Sequence, residues 1–313
     1  MLRKIFLLVF SLLFIGTLNL SAQDEEDTTA TTKSEHHWKW FEWNKHEWFK
    51  WHFHGKPFIE LNYGLGVLKH DKLVSKFADV GQLEIKLGYA THDEFYEDDL
   101  IDFKERYLFV SKIGSQLKSQ DIPLGKMETS LWRFGFAQRT GYGYNLGEVS
   151  ILPYHESGFS WSRLDVQTYP AQFFLLVNPP LSLEDARTDT EILNRFHDAT
   201  RFGTIWEGGA RVEFAKSFSV NAGYEASVIF PRHMFWYHAG SFVIEEVGLH
   251  LLDEFIDEVA DSSPYAAPVV NFLLKNGFSY AFYSLKKEKM NWPFNTEAPL
   301  TYETFKLGVT FTF

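Results

Sequence analysis

Apolar and polar side chains alternate along several stretches of the chain. In the last thirteen residues, TYETFKLGVTFTF, apolar side chains take every second position from Phe305 to Phe313, and threonine, lysine and glycine take the positions between. The segments PFIELNYGLGVL at 57–68 and GQLEIKLGYA at 81–90 repeat this alternation. Because successive side chains of a strand point to opposite faces, the period of two predicts β-strands with one apolar and one polar face.

The polar faces of these strands carry charges of both signs. A β-sandwich built from them would bury carboxylates in its core, whereas a membrane β-barrel turns its apolar positions toward lipid and its polar positions toward an enclosed lumen. We therefore predict an all-β fold, an antiparallel transmembrane β-barrel over residues 57–313. The predicted lumen-lining charges are Glu60, Glu84, Lys86, Arg133, Glu207, Arg211, Glu213, Glu225 and Lys306.

Further alternating segments set the predicted number of strands. Seven further segments, at 106–113, 129–138, 142–152, 158–166, 204–214, 218–230 and 278–285, bring the candidate strands to ten. That count places the short turn at 215–217 on the outer side of the membrane, although short turns usually lie on the periplasmic side. We predict eight to twelve strands, with ten as the central number.

Two segments interrupt the alternation. Residues 182–202 begin with a serine followed by acidic residues, which is a helix-start pattern. Residues 243–260 carry apolar side chains at helical spacing, with Asp and Glu on the opposite side. The sequence predicts helical insertions in both places, and the second requires an apolar surface on which to lie.

Composition narrows the possible functions. Residues 1–22 combine a cationic start, an apolar run and small residues, the pattern of a secretory signal peptide cleaved after Ala22. The absence of Cys excludes disulfides, thiolate metal sites and Cys nucleophiles. A net charge of −11 argues against a nucleic-acid partner, and 18% aromatic residues are typical of a membrane β-barrel.

The segment FKLGVTFTF resembles the C-terminal insertion signal of bacterial outer-membrane β-barrel proteins, with Gly308, Phe311 and Phe313 at the matching positions. The resemblance implies localisation in the cell outer membrane and two partners, outer-membrane lipid and the outer-membrane assembly machinery. It does not indicate what the barrel does.

Residues 23–56 precede the predicted barrel. Their first part is acidic and Thr-rich and is predicted to be a disordered tether. The tract HHWKWFEWNKHEWFKWHFH at 36–54 is rich in Trp and His, whose rings combine an apolar surface with a polar group. This composition favours an interfacial segment at the membrane surface. An unstructured aromatic linker and a metal site formed by His46, His52 and His54 are the alternatives.

One pair of residues raises the question of catalysis. His155 and Ser157 share one face of a possible strand, similar to the His-x-Ser pair of an outer-membrane lipid A deacylase. Gly158 and the mid-chain position depart from that family, and no Glu stands at its later position. We expect a non-enzymatic protein without cofactor, closed or gated, with a structural, adhesive or porin-like role. A lipid hydrolase using His155 and Ser157 is the alternative.

Overall fold

The computed structural model describes residues 55–96, 99–118, 122–173, 175, 181–214 and 217–313. The predicted signal peptide, the acidic tether and the Trp/His-rich tract with His46, His52 and His54 lie outside the described residues. These expectations therefore stay predictions.

Ten strands appear in the described part of the chain. They are β1 (Lys56–Lys69), β2 (Lys76–Phe77), β3 (Val80–Phe95), β4 (Leu100–Gly114), β5 (Lys126–Met127), β6 (Thr129–Asn145), β7 (Val149–Val166), β8 (Thr200–Phe214), β9 (Phe218–Ile229) and β10 (Leu300–Thr312). Eight of them form a closed barrel in the order β1-β10-β9-β8-β7-β6-β4-β3, and β2 pairs only with β5. All neighbours in the barrel are antiparallel, so the predicted fold class is confirmed.

The register of the barrel fixes the tilt of its strands. Following paired residues once around the wall from Phe58 leads back to β1 at Leu68, ten residues farther along. Such a stagger requires strands that are strongly inclined to the barrel axis. Eight strands with this tilt leave an interior that side chains can fill.

The eight barrel strands lie within the predicted range and below the central number of ten. Two sequence candidates explain the difference. The segment 142–152 contains the end of β6 and the start of β7, because these strands have 17 and 18 residues and exceed the assumed length. The segment 278–285 is helical.

Connections of very different length close the two ends of the barrel. The turns 96–99, 146–148 and 215–217 lie at the end where β1 starts and β10 stops, which we call the turn end. The connections 70–79, 115–128, 167–199 and 230–299 lie at the opposite, outer end. With eight strands, the short turn at 215–217 therefore lies at the same end as the other short turns, the usual arrangement in membrane barrels.

Three α-helices lie in the described parts of the long connections. Helix α1 (Leu183–Leu193) begins after Ser182, whose hydroxyl accepts the Asp185 N–H at 3.0 Å, and β8 already begins at Thr200 within the predicted 182–202. Helices α2 (Phe235–Ser262) and α3 (Ala267–Lys286) form a hairpin, and α2 extends beyond the predicted 243–260. Short 3₁₀ helices occupy Ser115–Leu117, Pro170–Gln172 and Pro264–Ala266. None of the described helices is both long and apolar enough to cross a membrane.

The barrel interior has apolar layers at both ends and a polar middle. At the outer end, β2, β5, α1 and the tops of the strands contribute a buried apolar cluster that includes Phe77, Met127 and Phe196. Toward the turn end, Ile101 and Leu152 belong to a second buried cluster. The charged side chains occupy the space between these layers.

Candidate functional site: the charged barrel interior

The structure places the predicted lumen charges on the inward face of the strands. Eight of them are at most 3% exposed, and Glu213 lies nearer the turn end with its side chain 15% exposed. The eight buried residues are Glu60, Glu84, Lys86, Arg133, Glu207, Arg211, Glu225 and Lys306. Each strand supplies them from alternate positions because its pleat directs every second side chain inward.

A first cluster lies toward the turn end and joins two arginines to two carboxylates. Arg139 Nη1 lies 2.9 Å from Glu60 Oε2 and 2.9 Å from Glu105 Oε2. Arg211 Nη2 lies 2.8 Å from Glu60 Oε2 and also donates to Glu105 Oε2 at 3.0 Å. Thr310 donates to Glu60 Oε2 at 3.0 Å. Both carboxylates are thus paired and hydrogen-bonded, the condition under which buried charges are tolerated.

A second cluster surrounds Lys86. Its ammonium lies 3.0 Å from Glu156 Oε2 and 3.5 Å from Glu207 Oε2, and it donates to Tyr107 Oη at 3.1 Å. Tyr154 donates its hydroxyl to Glu207 Oε1 at 2.6 Å. The two tyrosines complete the hydrogen bonding of groups that water would otherwise solvate.

A third cluster lies toward the outer end. Lys306 Nζ lies 2.9 Å from Glu84 Oε1 and 2.8 Å from Glu225 Oε2. Arg133 bridges the same two carboxylates, with Nη2 at 3.2 Å from Glu84 Oε2 and 3.0 Å from Glu225 Oε2. Four strands are therefore tied together through one group of charges.

Sequence reasoning missed three members of this network: Glu105, Arg139 and Glu156, each at most 1% exposed. Glu105 and Arg139 lie just outside the predicted strands at 106–113 and 129–138, and Glu156 lies between those at 142–152 and 158–166. Arg139 lies three alternations after Arg133 on the same strand, so the alternating pattern already placed it on the inward face. It was missed because the strand continues beyond its predicted end at residue 138.

The network is closely balanced in charge. Among the described residues it contains six buried carboxylates (Glu60, Glu84, Glu105, Glu156, Glu207 and Glu225) and five buried cations (Lys86, Arg133, Arg139, Arg211 and Lys306). Each charged group is paired with an oppositely charged neighbour at 2.8–3.5 Å, so these groups already bind one another and not an ion or a substrate. The network therefore serves to hold the strands together.

The outer end carries its own hydrogen-bonded clamp. Asp189, on α1 and completely buried, accepts the backbone N–H of Val74 at 3.1 Å and of Ser75 at 2.7 Å. In the neighbouring connections, a hydrogen bond from Lys118 holds the pKa of Asp79 below its ordinary value. The long connections therefore form a packed cap.

His70 lines a cavity of about 200 Å³ in this cap, together with Phe196 and Ala298. Its Nε2 lies 3.2 Å from the Ala298 carbonyl oxygen, and its Nδ1 lies 3.2 Å from the Lys72 backbone nitrogen. These contacts suit a neutral imidazole that donates from Nε2 and accepts at Nδ1. Burial lowers the pKa of His70 to about 4.

His155 and Ser157 lie on the outer face of β7, because the alternate residue Glu156 points inward. The His155 Nδ1 atom lies 3.1 Å from Trp206 Nε1 and 3.2 Å from Asn276 Oδ1. The indole can only donate, so Nδ1 must accept. Glu156 binds Lys86 on the other side of the wall. A hydrolase would require the acid, the base and the nucleophile on one side.

The three residues of the predicted insertion signal have different surroundings. Gly308 faces inward between the side chains of Asn62 and Asn221, where an added methyl group would lie 2.6 Å from Asn221 Oδ1. Phe311 faces outward and is 44% exposed, and Phe313 is 75% exposed. Recognition by the assembly machinery stays a prediction.

Comparisons with known proteins give distant structural similarity. No protein-family model and no curated protein sequence matches the chain. The structure is similar to the Neisserial surface protein A, with 11% identity, a TM-score of 0.39, and coverage of 82% of this chain and 97% of that one. It is also similar to Ail, the attachment invasion locus protein of Yersinia pestis, with 10% identity, a TM-score of 0.31, and coverage of 83% and 99%. The fold assignment given above rests on the strand register.

Proposed function

We propose that the protein is an integral outer-membrane β-barrel with a closed interior, which serves as a structural or adhesive scaffold for the cap at its outer end. The observation that carries this proposal is the buried charge network. It fills the middle of the lumen between two apolar layers. A porin-like role would require a water-filled channel past these side chains.

The outer surface of the barrel supports a lipid environment. Apolar side chains that point away from the lumen are about half exposed on five strands, an arrangement that water would penalise and lipid would favour. They include Leu61, Leu83, Ile85, Leu108, Val110, Phe134, Phe305 and Leu307. Charged side chains point inward at the intervening positions.

The contrast between the two ends supports a role for the cap. The turn end has three short turns, whereas the outer end carries all four long connections and α1. In membrane barrels the long loops face the cell exterior and the short turns face the periplasm. An adhesive or structural surface would therefore be formed by the connections that Asp189 and the apolar cluster hold together.

Planar-bilayer recording tests the closed interior. We expect the purified protein to insert without steady conductance steps, with a porin reconstituted in the same lipid as the positive control. Steady channels would overturn the closed scaffold in favour of a solute pathway. A protein that remains monomeric and folded in buffer without detergent or lipid would overturn the membrane assignment itself.

Surface exposure tests the proposed orientation. A protease added to intact cells should cleave within the connections 70–79 or 167–199 and leave the turns 96–99 and 146–148 intact. Cleavage confined to the short turns would reverse the proposed orientation.

A further inference from the structure

The hairpin of α2 and α3 lies along the outside of the barrel, with α3 against β6, β7, β8 and β9. Near the outer end, the His238 ring lies 6.1 Å from the Phe202 ring on β8, and at mid-height the Phe242 ring lies 5.5 Å from the outward ring of Phe159 on β7. Near the turn end, Tyr144 on β6 donates its hydroxyl to the Tyr265 carbonyl at 2.7 Å, and Tyr265 donates to Asp99 at 2.7 Å. Helix α2, about 42 Å long at 1.5 Å per residue, thus accompanies the wall from one end to the other.

Glycines allow the close approach of the hairpin. A methyl group on Gly208 of β8 would lie 2.6 Å from Asn276 Oδ1 of α3. The contact between the two helices is similar, because a methyl group on Gly248 of α2 would overlap the Phe278 ring of α3. The hairpin is therefore packed closely against the wall, and it covers the outward face of these strands.

The wall beneath the hairpin contains a polar group that the hairpin covers. His155 is 5% exposed although it points out of the barrel, since Asn276 lies over it and also donates to the Tyr154 carbonyl at 3.0 Å. An outward imidazole that nothing covered would be costly against lipid. Coverage by α3 is thus part of what makes this stretch of wall compatible with a membrane.

The free face of α2 changes character along its length. Toward the outer end it presents Val243, Ile244 and Val247, which are 45%, 38% and 51% exposed. Toward the turn end the exposed positions are His250, Glu254, Phe255, Asp257, Glu258, Asp261 and Ser262, four of which are acidic. A mainly apolar half is followed by a mainly acidic half on one helix.

The bare wall of the barrel changes character in the same direction. On β4, Leu108 and Val110 are outward and about half exposed, whereas Asp102 and Arg106 occupy exposed outward positions closer to the turn end. Helix α2 and strand β4 therefore change from mainly apolar to mainly polar in the same direction.

We infer that the outer half of the α2–α3 hairpin is immersed in the membrane, where Val243, Ile244, Val247 and Tyr280 contact lipid acyl chains and continue the apolar band of the barrel. The acidic half of α2 then lies in the aqueous space at the turn end. Phe235 and Trp236, 71% and 82% exposed at the start of α2, lie where aromatic residues favour the lipid–water interface. This inference rests on the proposed membrane location.

Single-cysteine labelling tests it directly, because the natural chain contains no Cys. Nitroxide labels would be attached to Val247→Cys, to Leu307→Cys on β10 as the matched lipid control, and to Glu258→Cys as the aqueous control. Val247 and Leu307 have nearly equal exposures of 51% and 55%. Accessibility to oxygen and to a water-soluble nickel chelate is then measured in phospholipid vesicles.

We expect the labels at positions 247 and 307 to favour oxygen over the nickel chelate by a similar ratio, and the label at position 258 to favour the chelate. A lipid-like signal at 307 with a water-like signal at 247 would overturn the inference and leave the membrane barrel standing. A water-like signal at 307 would overturn the membrane barrel as well. A label at 247 that is shielded from both reagents, or coupled to a label on a second molecule, would place protein on this face and also overturn the inference.

Substitutions provide a second readout. Val247→Asp should lower the urea midpoint of unfolding from vesicles, whereas Leu124→Asp, at an 87% exposed position in the connection 115–128, should leave it nearly unchanged. Equal midpoints for both variants would contradict lipid contact at Val247.

Discussion

Arg139 on β6 and Glu60 on β1 are 79 residues apart in the chain and form a two-pronged contact across the barrel, with distances of 2.9 Å and 3.1 Å between guanidinium and carboxylate atoms. The two strands are not neighbours in the wall. The contact therefore crosses the lumen and holds opposite sides of the barrel together. Its geometry is the bidentate form in which arginine binds a carboxylate most strongly.

Replacement of Arg139 by Met should destabilise the barrel severely. The change removes a cation that contacts Glu60, Glu105 and Glu156, and it leaves these buried carboxylates with fewer partners. Loss of one partner from a buried pair costs about 3–5 kcal/mol. Urea titration of the protein in detergent micelles or vesicles measures the free energy of unfolding.

Arg163→Met is the matched control for this experiment. Arg163 pairs with Asp198 at 2.6 Å, but both side chains are about two-thirds exposed. A surface pair of this kind contributes little to stability, because water and salt screen the attraction. If the two arginine variants lose similar stability, the buried network does not hold the barrel together.

Gly308→Ala should weaken the barrel from inside. Its methyl group would conflict with Asn62 Oδ1 and lie 2.6 Å from Asn221 Oδ1 between three adjacent strands. Overpacking of this kind costs about 1–3 kcal/mol. Gly277→Ala in α3 is the control, since nothing lies within 4 Å of its added methyl group. A stability loss in refolding experiments with purified protein would separate this packing effect from recognition by the assembly machinery.

Asp189→Ala should loosen the cap and leave the barrel folded. The carboxylate accepts two backbone N–H groups of the connection 70–79, and its loss leaves them without these acceptors. Each unsatisfied buried group costs about 1–3 kcal/mol. We expect faster proteolysis of the connection 70–79 with unchanged β-sheet circular dichroism. Glu184→Ala, at an exposed position in the first turn of α1, should not change the proteolysis rate.

The cap should also lose stability as the pH falls from about 6.5 toward 4. Burial lowers the pKa of His70 from 6.5 to about 4, so within this window the unfolded cap binds a proton that the folded cap does not. Stability therefore decreases on acidification, by at most about 1.4 kcal/mol per pH unit. Lys72 and Arg195 add to the depression of the pKa, and Asp189 opposes it.

Hydrogen exchange of backbone amides in the connection 70–79 measures this effect. The exchange should accelerate as the pH falls, after correction for the intrinsic pH dependence of exchange. His70→Gln should lack the additional acceleration. An identical pH profile for both proteins would show that His70 does not couple protonation to the stability of the cap.

The alternation of side chains along single strands was sufficient to predict the barrel class and eight of the eleven buried network charges. The missing residues Glu105, Arg139 and Glu156 lie beyond the predicted ends of strands, because local propensity does not show how far pairing continues. Helix α3 was missed for a related reason. FSYAFYSL at 278–285 has an aromatic-rich pattern that fits a short strand, and only its packing against α2 and the wall favours a helix.

By itself, the sequence determined which side chains share a face, since that depends only on the two-residue period of an extended chain. The tertiary structure decided the number of strands, the partners of each charge, the apolar layers above and below them, and the location of the α2–α3 hairpin on the outer wall. These features depend on contacts between residues far apart in the chain, such as Glu60 with Arg139 and Gly208 with Asn276. The side-chain pattern of one strand does not show which distant residues its side chains will contact.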